Sequence, residues 1–213
     1  GTNAGALTVK ATDGKVTLNK AGSGVTDVVN SGNSVSITAS DSDAAEDTVG
    51  DIAITGNVVG ATSVAISTDQ GNIEVGTGNT AETLSAVKAG TTLNVATNTK
   101  GNVTVNGSLV TEGTNAGALT VKATDGKVTL NKAGSGVTDV VNSGNSVSIT
   151  ASDSDAAEDT VGDIAITGNV VGVTSVAIST DQGNVEVGTG NTAETLSAVK
   201  AGTTLNVATN TKG

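Results

Sequence analysis

The stretch LTVKATDGKVTLN, residues 7–19, decides the fold. Leu7, Val9 and Ala11, then Val16 and Leu18, fall on one side of an extended chain, with Thr8, Lys10, Thr17 and Asn19 on the other. A period of two marks a strand with one buried face. Asp13-Gly14 in the middle tolerates positive φ and reads as a turn. The pattern recurs as VSITAS…GDIAIT from Val35, VAISTDQGNIEVG from Val64 and LNVATNTKGNVTVN from Leu93, and a further copy starts at Leu119. The starts are spaced by 28, 29, 29 and 26 residues. Behind each pair of strands comes an apolar doublet: Val28-Val29, Val58-Val59, Ala86-Val87 and Leu109-Val110. Each doublet is read as a third short strand or a corner. Three sides per turn and about 28 residues per coil specify an all-β parallel β-helix, a β-solenoid.

A longer repeat encloses this one. Residues 1–101 recur as 113–213, an offset of 112, with only Ala61 against Val173 and Ile73 against Val185 differing. Each 112-residue unit therefore holds four coils. Residues 1–112 form the first tandem repeat and residues 113–213 a truncated second, as one continuous solenoid rather than independent domains. A coil cannot bury its apolar face alone, so such units stack in series, each touching its neighbours. The alternative is a string of Ig-like β-sandwich beads in a calcium-stiffened adhesin, one bead per 112 residues.

Composition supports a thin core. The chain has no Phe, Tyr, Trp, His, Cys, Met or Pro. Any core is Val, Ile, Leu and Ala, which suits a narrow coil better than a thick sandwich. The abundance of alternating Val and Thr argues against disorder, whose signature lacks β-branched apolar residues. With ten Lys, no Arg and a net charge of −11, no phosphate-tracking patch can form, so nucleic acid is excluded as a partner. The same charge opposes binding to anionic membranes, and no apolar run nears the ~20 residues of a membrane helix.

These units resemble the degenerate repeats of filamentous-haemagglutinin-like and other giant repetitive bacterial surface exoproteins. The resemblance spans the whole chain and is carried by LTVKATDGKVTLN, VAISTDQGNIEVG and LNVATNTKGNVTVN. It implies a right-handed parallel β-helix in a secreted protein of the bacterial cell surface. The rungs here are longer than is common in that family.

Several segments offer candidate sites. The acidic stretch Asp41, Asp43, Glu46, Asp47 and Asp51, with its copy Asp153, Asp155, Glu158, Asp159 and Asp163, is the candidate metal site. Closely packed oxygen ligands suit Ca²⁺, although the spacing is not that of an EF-hand, and a solvated acidic loop is the plainer reading. IEVGTGNTAETLSAVKAG, residues 73–90, runs strand, Gly76-x-Gly78-x-x-Ala81, then a candidate helix with Asn79 as cap, Glu82 completing a capping box and Gly90 as stop. It mimics a dinucleotide fingerprint, but no acid closes the next strand and no α/β pattern surrounds it. The plainer reading is a Gly-rich corner or the third side of a coil. Asn102-Val-Thr and Asn106-Gly-Ser are N-glycosylation sequons, and Asn106-Gly107 is equally a turn signal. A Thr-rich ice-binding face fails on its outward column of Thr17, Ala53, Glu74 and Thr104. Without His, Cys or Tyr, acid–base chemistry falls to carboxylates and Lys alone.

The sequence thus predicts a non-enzymatic, extracellular stalk or filament segment of a bacterial surface fibre or adhesin. No catalytic residue and no cofactor is assigned beyond candidate Ca²⁺. The expected partners are adjoining repeats of the same polypeptide or other copies of the chain, end to end.

Overall fold

The computed structural model describes residues 5–20, 27–42, 50–76, 85–132, 139–154, 161–188 and 198–212. These residues form a β-solenoid with three strands per coil. The first coil holds β1 (Leu7–Thr12), β2 (Val16–Asn19) and β3 (Asp27–Ser31). The second holds β4 (Val35–Ser40), β5 (Ile52–Thr55) and β6 (Asn57–Gly60), and the third β7 (Val64–Gln70), β8 (Ile73–Val75) and β9 (Ala86–Ala89). The fourth holds β10 (Leu93–Lys100), β11 (Val103–Val105) and β12 (Ser108–Thr111). The second repeat continues with β13 (Leu119–Ala123), β14 (Val128–Leu130), β15 (Asp139–Ser143), β16 (Val147–Ala151), β17 (Ile164–Ile166) and β18 (Asn169–Gly172). Last come β19 (Ser175–Gln182), β20 (Val185–Val187), β21 (Val199–Ala201) and β22 (Thr204–Lys212).

Strands from successive coils stack into three sheets of eight, seven and seven strands, each joining every third strand in chain order. The first sheet fixes the coil period through one continuous column, with Leu7 beside Val35, Val35 beside Val64, Val64 beside Leu93 and Leu93 beside Leu119. Leu119 then pairs with Val147, Val147 with Val176 and Val176 with Leu205. The sheets run through the boundary between the two 112-residue repeats without a break. All of these pairings are parallel, which overturns the Ig-like bead alternative, because a sandwich of that kind is antiparallel.

The core is aliphatic throughout. Ile37, Ile54, Ile66, Val95, Val105, Leu109, Val121, Leu130 and Ile149 are among its fully buried members. Strands such as β4 and β5 send every second residue inward. The third sides read from the doublets are strands, with Val29, Val58, Val87 and Leu109 stacked inward in register. The candidate helix after Asn79 is not formed over residues 86–89, where the plainer reading, the third side of a coil, holds. Those residues are β9, held as a strand between β6 and β12.

Coil length stays nearly constant although the connectors differ. The long connector sits at residues 20–26 in the first coil, 41–51 in the second, 76–85 in the third and 112–118 in the fourth. It moves among the three corners while the strands stay in register. At the corner between the first and second sides the coils approach through glycine. Gly71 (φ 143°) and Gly101 (φ 145°) occupy backbone that L side chains rarely adopt. A Cβ on Gly101 would collide with the Gly71 carbonyl, and one on Gly71 would lie 2.6 Å from the Gly50 carbonyl carbon.

Candidate functional site

Of the ten acidic candidates, Asp41, Asp51, Asp153 and Asp163 are described. Asp43, Glu46, Asp47, Asp155, Glu158 and Asp159 lie outside the described residues. Asp41 and Asp153 are buried at the start of their connectors. Each sits against the glycine that ends its connector. A Cβ on Gly50 would lie 3.2 Å from that of Asp41, and one on Gly162 would lie 3.1 Å from that of Asp153. The buried hydroxyl of Thr68 donates to the Gly50 carbonyl (2.7 Å), and Thr180 does the same for Gly162 (2.5 Å). The connector is thus pinned shut at its base. Among the described residues, no three carboxylates converge as a metal site would require.

Asp51 has a different partner. Its Oδ1 accepts from the backbone N–H of Asn72 (2.7 Å) and from the Asn72 amide (3.3 Å). One coil on, Asn72 Oδ1 accepts from the backbone N–H of Asn102 (3.0 Å) and from its amide (2.9 Å). Asn102 Oδ1 then accepts from the Lys127 N–H (2.8 Å). Asp51, Asn72 and Asn102 therefore form a polar ladder that satisfies backbone donors at one corner of successive coils, and Asp163 with Asn184 begins the same ladder in the second repeat. An acid heads each run because it offers acceptors only, while each Asn below both donates and accepts.

A second ladder, not read from the sequence, lies at the entry to the third side. Asn57 donates to Asp27 (3.3 Å) and accepts from the Ala86 N–H (3.0 Å). Asn169, between Asp139 and Ala198, repeats it. Asn98 on Asp69 and Asn210 on Asp181, both at 3.2 Å, add single steps. The available signal was an Asx residue recurring at one coil period, as at positions 27 and 57 or 72 and 102.

The remaining candidates have structural employment. The amide nitrogen and oxygen of the Asn102 side chain are both in the ladder, and Asn106 Oδ1 accepts from the Asn131 amide (2.8 Å), so both sequon asparagines serve the corners. Gly76 (φ 86°) and Gly188 (φ 90°) turn the chain after β8 and β20. The rest of the Gly-x-Gly-x-x-Ala pattern, including Gly78, Asn79, Ala81 and Glu82, lies outside the described residues, as does its copy from Gly190. Thr17, Ala53, Glu74 and Thr104 do share one column, interrupted as expected. Lys88 and Glu112 form an exposed ion pair at 3.7 Å, of the kind that adds little stability. Asp125 (φ 47°) accepts from the backbone N–H of Ser154 (2.9 Å) and from its hydroxyl (2.9 Å). The Ser154 backbone bond above all holds the Asp125 carboxyl below its ordinary value. The Ser154 hydroxyl and the Lys100 charge help, and burial opposes them.

What the described surface offers is a set of side-chain ladders that tie coil to coil. No protein-family model, curated protein or solved structure matches the chain.

Proposed function

We propose that the chain is a non-enzymatic structural segment of a secreted bacterial cell-surface fibre or adhesin, a stiff stalk that holds other parts away from the cell. One observation carries the reading: the first sheet keeps its register from Leu7 to Leu205 across the repeat boundary. With neighbouring strands ~4.8 Å apart, seven coil steps span about 34 Å, and each 112-residue repeat adds about 19 Å. Bending such a rod strains three parallel sheets and a close-packed aliphatic core together, which favours a stalk.

The surface fits the role. A net charge of −11 keeps rods soluble and mutually repelled. Asp27, Asp51, Asp139 and Asp163 are engaged in corner ladders. The neighbours along the axis are adjoining repeats of one polypeptide or other copies of the chain, meeting end to end. Antibodies raised against the chain test the location: immunogold microscopy of the source cells should decorate extracellular filaments. Label confined to the cell interior would reject the reading.

A further inference from the structure

The outward positions of the first sheet fall into three columns that run the length of the rod. One column reads Lys10, Thr38, Ser67, Ala96, Lys122 and Thr150, rung after rung. The column before it holds only Thr, Ser, Ala and Asn. Asp69 and Asp181 stand in the column after it, two residues beyond Ser67 and Ser179 on their strands. Lys100 is not part of this set, since it follows a register shift and pairs with Gln70 at the corner. Lys therefore occupies the first and fifth rungs and Asp the third and seventh. All four are exposed. The chain has 21 acids against ten Lys, yet this broad side is balanced and its charges alternate in sign every two rungs, about 10 Å.

We propose that this side of the rod is a docking face for a second copy of the chain, laid antiparallel and sheet against sheet. A two-fold axis along the strand direction at the fourth rung sets the fourth rung on itself, the fifth on the third and the first on the seventh. Lys122 then faces Asp69 of the second copy, and Lys10 faces Asp181. By symmetry all four charges on each copy find an opposite. The order recurs every four rungs, so a chain of any number of repeats carries the same match. A slip of one rung unpairs the charges, and a slip of two sets like on like. The small side chains between them allow two sheets to approach at the ~10 Å of stacked sheets.

The area suffices. Seven rung steps by a strand of six residues give about 670 Å² per copy and about 1,300 Å² in the pair, within the range of stable interfaces. The other sides fit less well. The outward charges of the second side's strands are Glu74 and Glu186, which repel in any such pair. The third side is balanced, with Asp27 and Asp139 against Lys88 and Lys200, but its charges are already engaged. Asp27 gives its two oxygens to the amides of Asn30 (2.7 Å) and Asn57 (3.3 Å), and Lys88 is paired with Glu112. The inference stands on the coil geometry, whether or not the rod is a surface fibre.

Sedimentation of the full chain over a concentration series tests the pairing, and a dimer is expected. Lys10→Asp with Lys122→Asp should weaken it at least about tenfold, because every facing pair becomes Asp on Asp. Lys88→Asp with Lys200→Asp changes the net charge equally on the third side and should leave the dimer intact. Asp69→Lys with Asp181→Lys should also fail to pair with itself, yet it should form a one-to-one complex with the Lys10→Asp, Lys122→Asp chain. That rescue separates lost docking from lost folding. Orientation is read by cross-linking, since the chain has no Cys. Asn94, exposed on the fourth rung, faces its own copy, so Asn94→Cys chains should join through a bismaleimide of about 10 Å, the spacing of stacked sheets, and Ser36→Cys chains should not. A chain that stays monomeric up to about 1 mM, a dimer indifferent to the Lys10→Asp and Lys122→Asp changes, no complex between the two opposite variants, or cross-linking through Ser36→Cys instead of Asn94→Cys would each overturn the proposal.

Discussion

Leu7 and Leu119 occupy the same place in the repeat and differ only in their place in the stack, so truncating each to alanine isolates the effect of stacking. Leu119 lies between Leu93 on one side and Val147 on the other and is 0% exposed. Leu7 has Val35 as its one described rung neighbour and is partly buried. Leu119→Ala should leave a closed cavity and cost about 3 kcal/mol, within the range for buried leucine. Leu7→Ala removes a side chain already partly in water, opens no closed cavity, and should cost about 1 kcal/mol. Nearest-neighbour coupling sharpens the contrast, because loosening an internal coil weakens two interfaces and loosening an outer one weakens a single interface. With no Trp or Tyr, the assay is guanidinium unfolding followed by the β-sheet circular dichroism signal. Equal losses for the two variants, or a larger loss for Leu7→Ala, would refute the stacked-coil reasoning.

Three further predictions address the corners. Gly101→Ala should abolish or severely reduce folding, since its backbone conformation and the Gly71 carbonyl both reject a Cβ, while Gly113→Ala (φ 115°, nearest atom 3.7 Å away) meets only conformational strain of about 1 kcal/mol; chemical denaturation separates them. Because the Asp125 carboxyl is held below its ordinary value, its contribution to stability is present above that value and is lost as pH falls through the depressed folded value. The stability gap between the natural chain and Asp125→Asn should therefore narrow on acidification below that range, and a gap constant with pH would contradict the Ser154 bond as its cause. Finally, removing calcium with EDTA should leave the melting temperature of the rod unchanged, because backbone ladders hold its rungs and Asn72 holds Asp51 Oδ1; amide-exchange changes confined to residues 41–51 and 153–163 would place any calcium effect in the acidic connectors.

The coil was legible because its signal is local. Alternation in residues 7–19 places Leu7, Val9, Ala11, Val16 and Leu18 on one face, and their copies Leu119, Val121, Ala123, Val128 and Leu130 are all fully buried. The doublets gave the third side for the same reason. Residues 86–89 carried two readings, because Ala86-Val87 is one of the apolar doublets while Ala-Val-Lys-Ala is also a good helical sequence in isolation. The parallel neighbours Val58 and Leu109 decide its state, and that contact is distant in sequence. The polar ladders were hidden likewise. Asp27 and Asn57 are unremarkable until the register places them one above the other. The acidic connectors read as candidate ligands because carboxylates cluster there in sequence; the sequence did not show that at the described ends of the cluster Asp51 joins a ladder and Asp41 lies against Gly50.

The most direct test of a continuous solenoid is solution X-ray scattering on chains of two, three and four repeats. A continuous rod predicts an unchanged cross-section and a length that grows by about 19 Å per 112 residues. A cross-section that grows with repeat number, or jointed units scattering as separate beads, would contradict it.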